Sequence, residues 1–125
     1  MKHTVLVGLA ILTAGPSTAA DLFNGRLLFA QCAACHSLLT PGATDNRGPT
    51  LAGLFGRKAG TLSGFRFSAA MRQKGVVWTE TTLHAYLTKP SAYVPGTTMI
   101  HSGIRRHSDR RDLIAYIKKS LNARR

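Results

Sequence analysis

The stretch that decides the fold is CAACHS at residues 32–37, which holds both cysteines of this 125-residue chain. The thiols of Cys32 and Cys35 stand three positions apart, and His36 directly follows the second of them. This spacing brings both thiols to one side of a single turn, with an imidazole beside them. Four kinds of site are compatible with two thiols and a histidine in this arrangement.

A structural zinc site usually has four N or S ligands, commonly from two clusters, and the chain lacks a second pair of cysteines. A thioredoxin-like redox pair is expected in a βαβ context, for which there is no pattern here. A plain disulfide suits an exported chain but leaves His36 unexplained. Covalent attachment of haem accounts for all three side chains, because each thiol bonds one vinyl group and the imidazole coordinates iron. The motif therefore favours one covalent haem c.

The rest of the chain predicts helices joined by long loops. Helical patterns cover residues 21–31, a segment between an N-cap at Thr79 and a stop at Pro90, and a last helix from about Ser108. Residues 37–64 are rich in Gly, Pro, Thr and Asn and predict an ordered loop. A loop this long needs something to pack against, and a buried porphyrin would serve. With no convincing strand pattern, the predicted fold class is all-α.

The first twenty residues have the pattern of a cleaved signal peptide. A charged start precedes an apolar run at residues 5–12, and small residues continue to Ala20. The run is too short to span a bilayer, which requires about 20 residues. We therefore predict export to the periplasm, cleavage after Ala19 or Ala20, one domain at residues 21–125, and no transmembrane segment in the mature chain.

The chain is strongly basic, with a net charge of +12 from 17 Lys and Arg against 5 Asp and Glu. This balance favours acidic partners, such as an anionic lipid surface or an acidic protein, although charged residues can also be simply a solvated surface. Export goes against nucleic acid as the partner. The basic residues also occur in scattered pairs rather than in one dense run.

A second axial ligand to the iron could come from Met71, Met99, His84, His101 or His107. Met71 lies in a helical pattern, where a methionine is more often a core residue. Met99 instead follows a Pro-Gly turn, and a loop position would let its thioether approach the iron from the face opposite the histidine. Met99 is therefore the preferred candidate.

The chain resembles the class I cytochromes c, close to the bacterial soluble and mitochondrial types, over residues 22–120. The motifs that carry the resemblance occur in the family's order: CAACH, GPTLAGLFGRKAG, VVWTETTLHAYLTKPSAYVPGTTM and RRDLIAYIKK. It implies an α-helical fold wrapped around one covalent haem c, in a monomeric electron carrier rather than an enzyme. It also implies that Gly25 and Phe29 of the first helix pack on the last helix.

The resemblance assigns the iron and its attachment to five residues. Cys32 and Cys35 match the thioether cysteines, while His36 and Met99 match the axial ligands. Pro49 matches the proline whose carbonyl accepts the other N–H of the ligating imidazole, a contact that such a histidine usually needs.

The resemblance assigns four more residues to the haem environment. Arg57 and Trp78 match donors to a buried haem propionate, which would be costly to bury without partners. Tyr86 and Thr97 match hydroxyls on the methionine side. Trp78 and Tyr86 are also expected to pack in the core.

Three residues depart from the family pattern. Phe67 stands where a tyrosine near a propionate is frequent, and Met71 stands where an asparagine is common. His101 replaces an aromatic residue that covers the haem edge. Ligation by His101 is an alternative to Met99, but so close to Met99 in sequence it is expected to lie along the edge.

Two strong axial ligands leave no open position on iron, and Met/His ligation raises the reduction potential. This predicts a periplasmic shuttle between a membrane complex or dehydrogenase and an oxidase, reductase or photosynthetic centre. Acidic redox proteins are expected to dock at the haem edge near Arg105, Arg106 and Lys89. The alternatives are a haem peroxidase or gas-binding protein, which would need Met99 to be labile, and a subunit held permanently in one complex.

Overall fold

The computed structural model describes residues 1, 8, 10–12, 15, 18–39 and 47–124. Half of the predicted signal peptide's apolar run, residues 5–7 and 9, and residues 40–46 of the predicted loop therefore lie outside the described residues. Five helices occur in the described part: α1 (Leu22–Ala33), α2 (Ala69–Lys74), α3 (Glu80–Thr88), α4 (Pro90–Tyr93) and α5 (His107–Asn122). The described residues contain no strand beyond one isolated antiparallel bridge, between Lys58 and Val77. The predicted all-α class is confirmed, and none of the described helices has the length and apolarity needed to cross a membrane.

Three of the helices, α1, α2 and α3, begin where a side chain accepts hydrogen bonds from the first backbone N–H groups. The Asp21 carboxylate accepts hydrogen bonds from the first turn of α1, as expected for an acidic residue at the positive end of a helix. Thr79 is the N-cap of α3, as predicted, and it forms a capping box with Thr82. The predicted helix starting near Ser108 begins one residue earlier, at His107.

Pro90 ends one helix and begins another. It stops α3 after Thr88, as predicted, but it also occupies the first turn of the four-residue α4. Proline suits that position because its missing N–H would have no partner inside the helix and its fixed φ is already helical. The sequence patterns did not indicate α4.

The first and last helices pack closely at Gly25. A Cβ atom built on Gly25 would lie 2.2 Å from the Asp112 carbonyl oxygen, so only a glycine allows this approach. One turn further along α1, the Phe29 ring lies 5.7 Å from the Tyr116 ring. Leu113, on the inner face of α5, is completely buried. This contact joins the two ends of the domain.

A buried carboxylate holds the start of α1 on α5. Asp112 is only 4% exposed, and it accepts hydrogen bonds from the Asp21 backbone N–H at 3.0 Å and from Asn24 Nδ2 at 3.0 Å. The Arg111 guanidinium adds a bond of 2.9 Å. Burial alone would raise the pKa of Asp112, but the donors from Asn24, Asp21 and Arg111 outweigh burial and hold that pKa below its usual value.

We expect Asp112→Asn to destabilise the protein at neutral pH by about 2 to 4 kcal/mol, because the Arg111 charge and two other donors lose an anionic acceptor. Since the folded-state pKa of Asp112 is depressed, its contribution is complete above its unfolded pKa of about 3.9 and is lost as pH falls through the folded value. Urea unfolding between pH 2 and 7 measures both effects, and the variant should lose stability less steeply in acid. Asp109→Asn is the control, because Asp109 accepts one bond from Asn24 and is more exposed. Equal losses from the two variants would contradict the role assigned to Asp112.

The hydrophobic residues surround a central space rather than filling it. Buried side chains from α1, α2, α3 and α5 form one cluster, joined by Leu54, Trp78 and Val94 from the connecting segments. Eight of the fourteen buried residues in this cluster line a cavity. The core of this chain is therefore arranged around the cavity that holds the candidate site.

Candidate functional site

The cavity has a volume of about 430 Å³, within the range of sites that bind cofactors and other small molecules. It is lined by residues from four of the helices and by the segments between them. The nine residues that the resemblance assigned to the haem and its environment all line the cavity, although they come from segments far apart in the chain. They are Cys32, Cys35, His36, Pro49, Arg57, Trp78, Tyr86, Thr97 and Met99.

The two thiols lie at the C-terminal end of α1. The backbone N–H groups of Cys35 and His36 both donate to the Cys32 carbonyl, at 3.0 and 2.9 Å, so the three residues form one tight turn. No disulfide joins the cysteines. Burial, and to a lesser extent the neighbouring Cys35, raises the pKa of Cys32 to about 11. The described residues contain no βαβ unit, so the fold does not fit the thioredoxin-like alternative.

His36 is oriented by a hydrogen bond to the backbone. Its Nδ1 donates to the Pro49 carbonyl oxygen at 2.7 Å, which leaves the lone pair on Nε2. Gly48 permits this approach, because a Cβ atom there would lie 2.8 Å from His36 Cε1. Burial lowers the pKa of His36, and the bond to Pro49 opposes this only in part. The neutral imidazole that binds metals is therefore the favoured form.

Met99 is held by a turn and two hydroxyl groups. The Thr97 N–H donates to the Val94 carbonyl at 2.9 Å and closes the Pro-Gly turn, and Thr97 Oγ1 accepts from the Met99 N–H at 3.3 Å. The Tyr86 hydroxyl lies 3.1 Å from Thr97 Oγ1 and donates to Met99 Sδ at 3.3 Å. Burial raises the pKa of Tyr86, so this hydroxyl keeps its proton at neutral pH. The thioether is thus fixed as part of the cavity wall.

A partly buried cation also lines the cavity. The Arg57 guanidinium donates to the Ala52 carbonyl at 2.8 Å and to the Thr50 carbonyl at 3.3 Å, and burial lowers its pKa. Among the described residues, no carboxylate forms an ion pair with it. A guanidinium has five N–H donors, so Arg57 retains donors for an anionic group of a bound cofactor. Trp78, whose backbone N–H donates to the Arg57 carbonyl at 2.9 Å, also lines the cavity, and its ring lies 5.2 Å from the Tyr86 ring.

The three departures from the family pattern also line the cavity. Met71 is a buried residue of α2, and Phe67 makes an edge-on contact with Phe65 at 4.8 Å. His101 has both ring nitrogens engaged: Nδ1 accepts from the Gly103 N–H at 2.9 Å, so Nε2 donates to Gln31 Oε1, 2.8 Å away. An imidazole held in this way has no lone pair left for iron, which speaks against ligation by His101.

The other two histidine candidates lie away from the cavity. His84 and His107 face each other across α3 and α5 with ring centroids 4.6 Å apart, and Arg110 Nε donates to His84 Nδ1 at 3.4 Å. Sequence reasoning gave Gly48 no role in the site and did not predict the contact between Gln31 and His101. Gly48 could have been noticed as the neighbour of Pro49 in RGPTL, whereas Gln31 meets His101 across 70 residues without any local signal.

This donor set fits a haem bound through thioethers. The cavity has an apolar wall of the required extent, two adjacent thiols, a neutral imidazole oriented by the backbone, a thioether from a separate loop and a cation with donors to spare. The zinc alternative lacks its ligands, since no group of three or more His, Cys, Asp or Glu that could hold a metal ion occurs among the described residues.

Comparison with known proteins agrees with the site. The profile of the family described as Cytochrome c matches residues 23–120. The chain is 44% identical over 117 residues to cytochrome c2 of Blastochloris viridis, covering 92% of this chain and 91% of that protein. It is 43% identical over 103 residues to cytochrome c of Nigella damascena, covering 82% and 92%.

A solved structure shares the fold. Cytochrome cH from Methylobacterium extorquens superposes with a TM-score of 0.72 at 38% identity, covering 80% of this chain and 99% of that one. The expected resemblance, fold and cofactor are thereby confirmed. The chain belongs to the cytochrome c family and is an electron carrier, not an enzyme, with one covalent haem c.

Proposed function

We propose that this chain is a periplasmic one-electron shuttle in which Cys32 and Cys35 attach the haem and His36 and Met99 are its axial ligands. One observation carries the assignment. The thiol pair with its oriented imidazole and the fixed thioether of Met99 line the same cavity, although 63 residues separate the two ligands. When bound, the haem supplies an iron that exchanges one electron.

The protein's own residues have four tasks in this proposal. The Pro49 carbonyl keeps His36 in the tautomer with a free Nε2, and Tyr86 and Thr97 hold Met99 in place. Arg57 and Trp78 provide donors for a haem propionate. The apolar wall excludes water. Because these groups are fixed before electron transfer, little reorganisation accompanies the change of charge, which favours rapid transfer over substrate chemistry.

We infer that the shuttle is exported and that residues 1–20 are removed after Ala19 or Ala20. The charged start, short apolar run and small residues support this. The mature chain, as we propose it, is a monomer in the periplasm that accepts electrons from a membrane complex or dehydrogenase. It passes them to an oxidase, reductase or photosynthetic centre.

Optical spectra of the purified protein, oxidised and then reduced, test the assignment directly. We expect the bands of a low-spin haem c in both states and a methionine–iron band in the oxidised state only. Mass spectrometry of the same sample gives the cleavage position and the mass of the attached haem. A five-coordinate spectrum would overturn the shuttle and favour a peroxidase or gas-binding protein.

We further propose that acidic redox partners dock at the mouth of the cavity, where the lining residues Gln31, Thr98 and Ile100 are exposed. Electron transfer requires a short distance, and a partner that contacts these exposed lining residues comes close to the interior of the cavity. Arg105 and Arg106 are exposed in the segment that follows the mouth, and Lys89 is exposed at the end of α3.

Reversing the charge of Arg105 and Arg106 together to Glu should slow the second-order reaction with an acidic partner about tenfold or more at low salt, because these cations would lie at the contact. The control pair Lys118→Glu with Lys119→Glu makes the same change of charge near the end of α5, where neither residue lines the cavity, so it should slow the reaction only about twofold. Stopped-flow transfer across a salt series measures both, and the differences should shrink as the Debye length falls from about 10 Å at 0.1 M to about 3 Å at 1 M. Equal losses of rate from the two double variants would show that only the net charge affects the reaction, and would contradict docking near Arg105 and Arg106.

A further inference from the structure

The backbone nitrogen of Asp21 meets a buried carboxylate of the last helix. Its N–H donates to Asp112 Oδ1 at 3.0 Å, although 91 residues separate the two in sequence. Asp112 is 4% exposed, whereas the Asp21 side chain caps the first turn of α1. The nitrogen of residue 21 is therefore fixed at the junction of α1 and α5, with its hydrogen directed at a carboxylate.

The same nitrogen belongs to one of the two peptide bonds at which removal of the signal peptide is proposed. Hydrolysis of the Ala20–Asp21 bond adds one water: the Ala20 carbonyl leaves as a carboxylate, and the Asp21 nitrogen becomes a primary amine that takes up a proton. Such an α-amino group has an ordinary pKa of about 7.7 to 8.0 and is mostly protonated at pH 7. Hydrolysis of the Ala19–Ala20 bond would instead leave a neutral amide at Asp21. The two products differ in charge at the atom that contacts Asp112.

The surroundings of this nitrogen are rich in negative charge for so basic a chain. The sequence has 5 acidic residues against 17 Lys and Arg, and three of the acidic residues, Asp21, Asp109 and Asp112, share one hydrogen-bond network with Asn24. Among the described residues, the close ion pair of this network is that of Arg111 with Asp112 at 2.9 Å, and the other joins Asp109 to an exposed arginine at 3.9 Å. Three carboxylates thus have one close cation, and a further positive charge would be stabilised there.

Removal of the residues before Asp21 leaves the partners of Asp112 in place. Thr18 contacts Arg111, whose Nη1 donates to the Thr18 carbonyl and hydroxyl oxygens, both at 3.2 Å. The bonds from Arg111 to Asp112 use Nε and Nη2 instead, at 3.1 and 2.9 Å. Loss of Thr18 therefore keeps both bonds from the guanidinium to the carboxylate.

We propose that the signal peptide is removed at the Ala20–Asp21 bond and that the new α-ammonium forms an ion pair with Asp112, which fastens the start of α1 to α5. The proposal rests on the proposed function in one respect, because it requires export with removal of a signal peptide. Hydrogen bonds between charged groups are roughly twice as strong as those between neutral groups. Processing would therefore strengthen a contact that the Asp21 amide already makes.

A positive charge at the start of a helix is ordinarily unfavourable, because the first turn already carries a partial positive charge. At α1 two carboxylates oppose this effect: that of Asp21, which accepts from the N–H groups of Phe23 and Asn24, and that of Asp112. Since Asp112 is buried, solvent screens its pair with the ammonium only weakly. The first helix of the processed chain would be held more firmly than that of the precursor, so removal of the signal peptide would complete the contact between α1 and α5.

The test uses the exported holoprotein. Mass spectrometry of the wild type should give a chain that begins at Asp21. A second form has Gly-Gly-Ser inserted between Ala20 and Asp21, so that the processed chain keeps a neutral amide at Asp21 and has its α-amino group three residues away. In urea at pH 7, the insertion should raise the unfolding equilibrium constant about fivefold, because the ion pair is lost. The increase should fall below about twofold in an Asp112→Asn background. It should persist in Asp109→Asn, the matched control, because Asp109 contacts Asn24 rather than the Asp21 nitrogen.

The same comparison at high pH needs no further substitution. Pairing with Asp112 favours the protonated amine, so its contribution is complete below the ordinary pKa of about 7.7 and is lost as pH rises through the titration of the amine in the folded protein. The charged groups around the amine on α1 and α5, namely Asp21, Asp109, Asp112 and Arg111, keep their charges over this range. The difference between the two forms should therefore be largest near pH 7 and should disappear by about pH 10.

Several results would overturn the proposal: a wild-type chain that begins at Ala20, an insertion that leaves unfolding unchanged, an equal effect of the insertion in the Asp112→Asn background, or a difference that persists at pH 10. The haem spectrum of every form is recorded alongside. A chain that begins at Ala20 and has a normal haem spectrum removes this inference alone. A chain that keeps its signal peptide removes the proposed export as well, and an abnormal wild-type spectrum removes the proposed shuttle.

Discussion

Replacing both Cys32 and Cys35 with serine is expected to abolish covalent haem and leave a largely unfolded chain. The hydrophobic cluster surrounds a cavity of about 430 Å³, and in the variant this volume would lack a covalently held occupant. Closed cavities in protein cores cost about 24 cal/mol per Å³, which sets an upper limit of about 10 kcal/mol for this cavity, because its mouth can admit water. That is comparable to the whole stability of a typical domain, about 5 to 15 kcal/mol.

Haem staining after denaturing electrophoresis and far-ultraviolet circular dichroism measure the two effects. Each single variant should retain one possible thioether and give a reduced yield of haem protein. Ala33→Ser is the matched control, since it makes a similarly small change at an exposed position between the cysteines. A double variant that folded as well as the wild type without haem would refute the view that the haem completes the core.

Met99→Ala is expected to lower the reduction potential on the order of 0.2 V, a quarter of the roughly 0.8 V range that axial ligands span. The variant lacks the thioether sulfur, to which the Tyr86 hydroxyl donates at 3.3 Å. Small external ligands such as azide or carbon monoxide should then bind, and the methionine–iron band should disappear. Potentiometric titration and ligand-binding spectra measure these changes.

Met71→Leu is the control for this experiment, because Met71 also lines the cavity but is a buried residue of the helix α2. Leucine has nearly the same volume, so the expected loss of stability is below about 1.5 kcal/mol and the spectrum should be retained. If Met71→Leu removed the methionine–iron band and Met99→Ala did not, Met71 rather than Met99 would be the axial ligand.

The parts of this fold that were predictable from sequence are those with a local cause. The N-cap of α3 depends on Thr79 and Thr82 alone, and the thiol pair with its histidine is contained in one turn. α4 was not predicted, because a proline after a helical pattern indicates where that helix ends and does not indicate that another helix begins there. Its four residues are too few to show a helical period.

The contacts that could not be predicted join residues far apart in the chain. The Asp21 N–H meets Asp112 across 91 residues, and Gln31 meets His101 across 70. Arg110 and Arg111 form one of the scattered basic pairs for which a solvated surface is the ordinary expectation. Arg110 is nevertheless buried and donates to the carbonyls of Ile104 and Arg105. No pattern in the neighbouring sequence distinguishes this arginine from a solvated one, because its partners are backbone groups positioned by the fold. By contrast, the nine residues that the resemblance assigned to the haem and its environment all line the cavity.

The contact between α1 and α5 also bears on the order in which the chain can fold. Gly25 packs on the Asp112 backbone, so the first helix obtains its partner only when nearly the whole sequence is available. A chain that crosses a membrane with its N-terminus first would present Cys32 and Cys35 well before α5 arrives. Contacts of such high sequence separation form late, since the entropy of closing a long loop must be overcome first. In the exported chain that we propose, the thiols would therefore stay accessible to the haem-attachment machinery until the last helix docks and closes the domain.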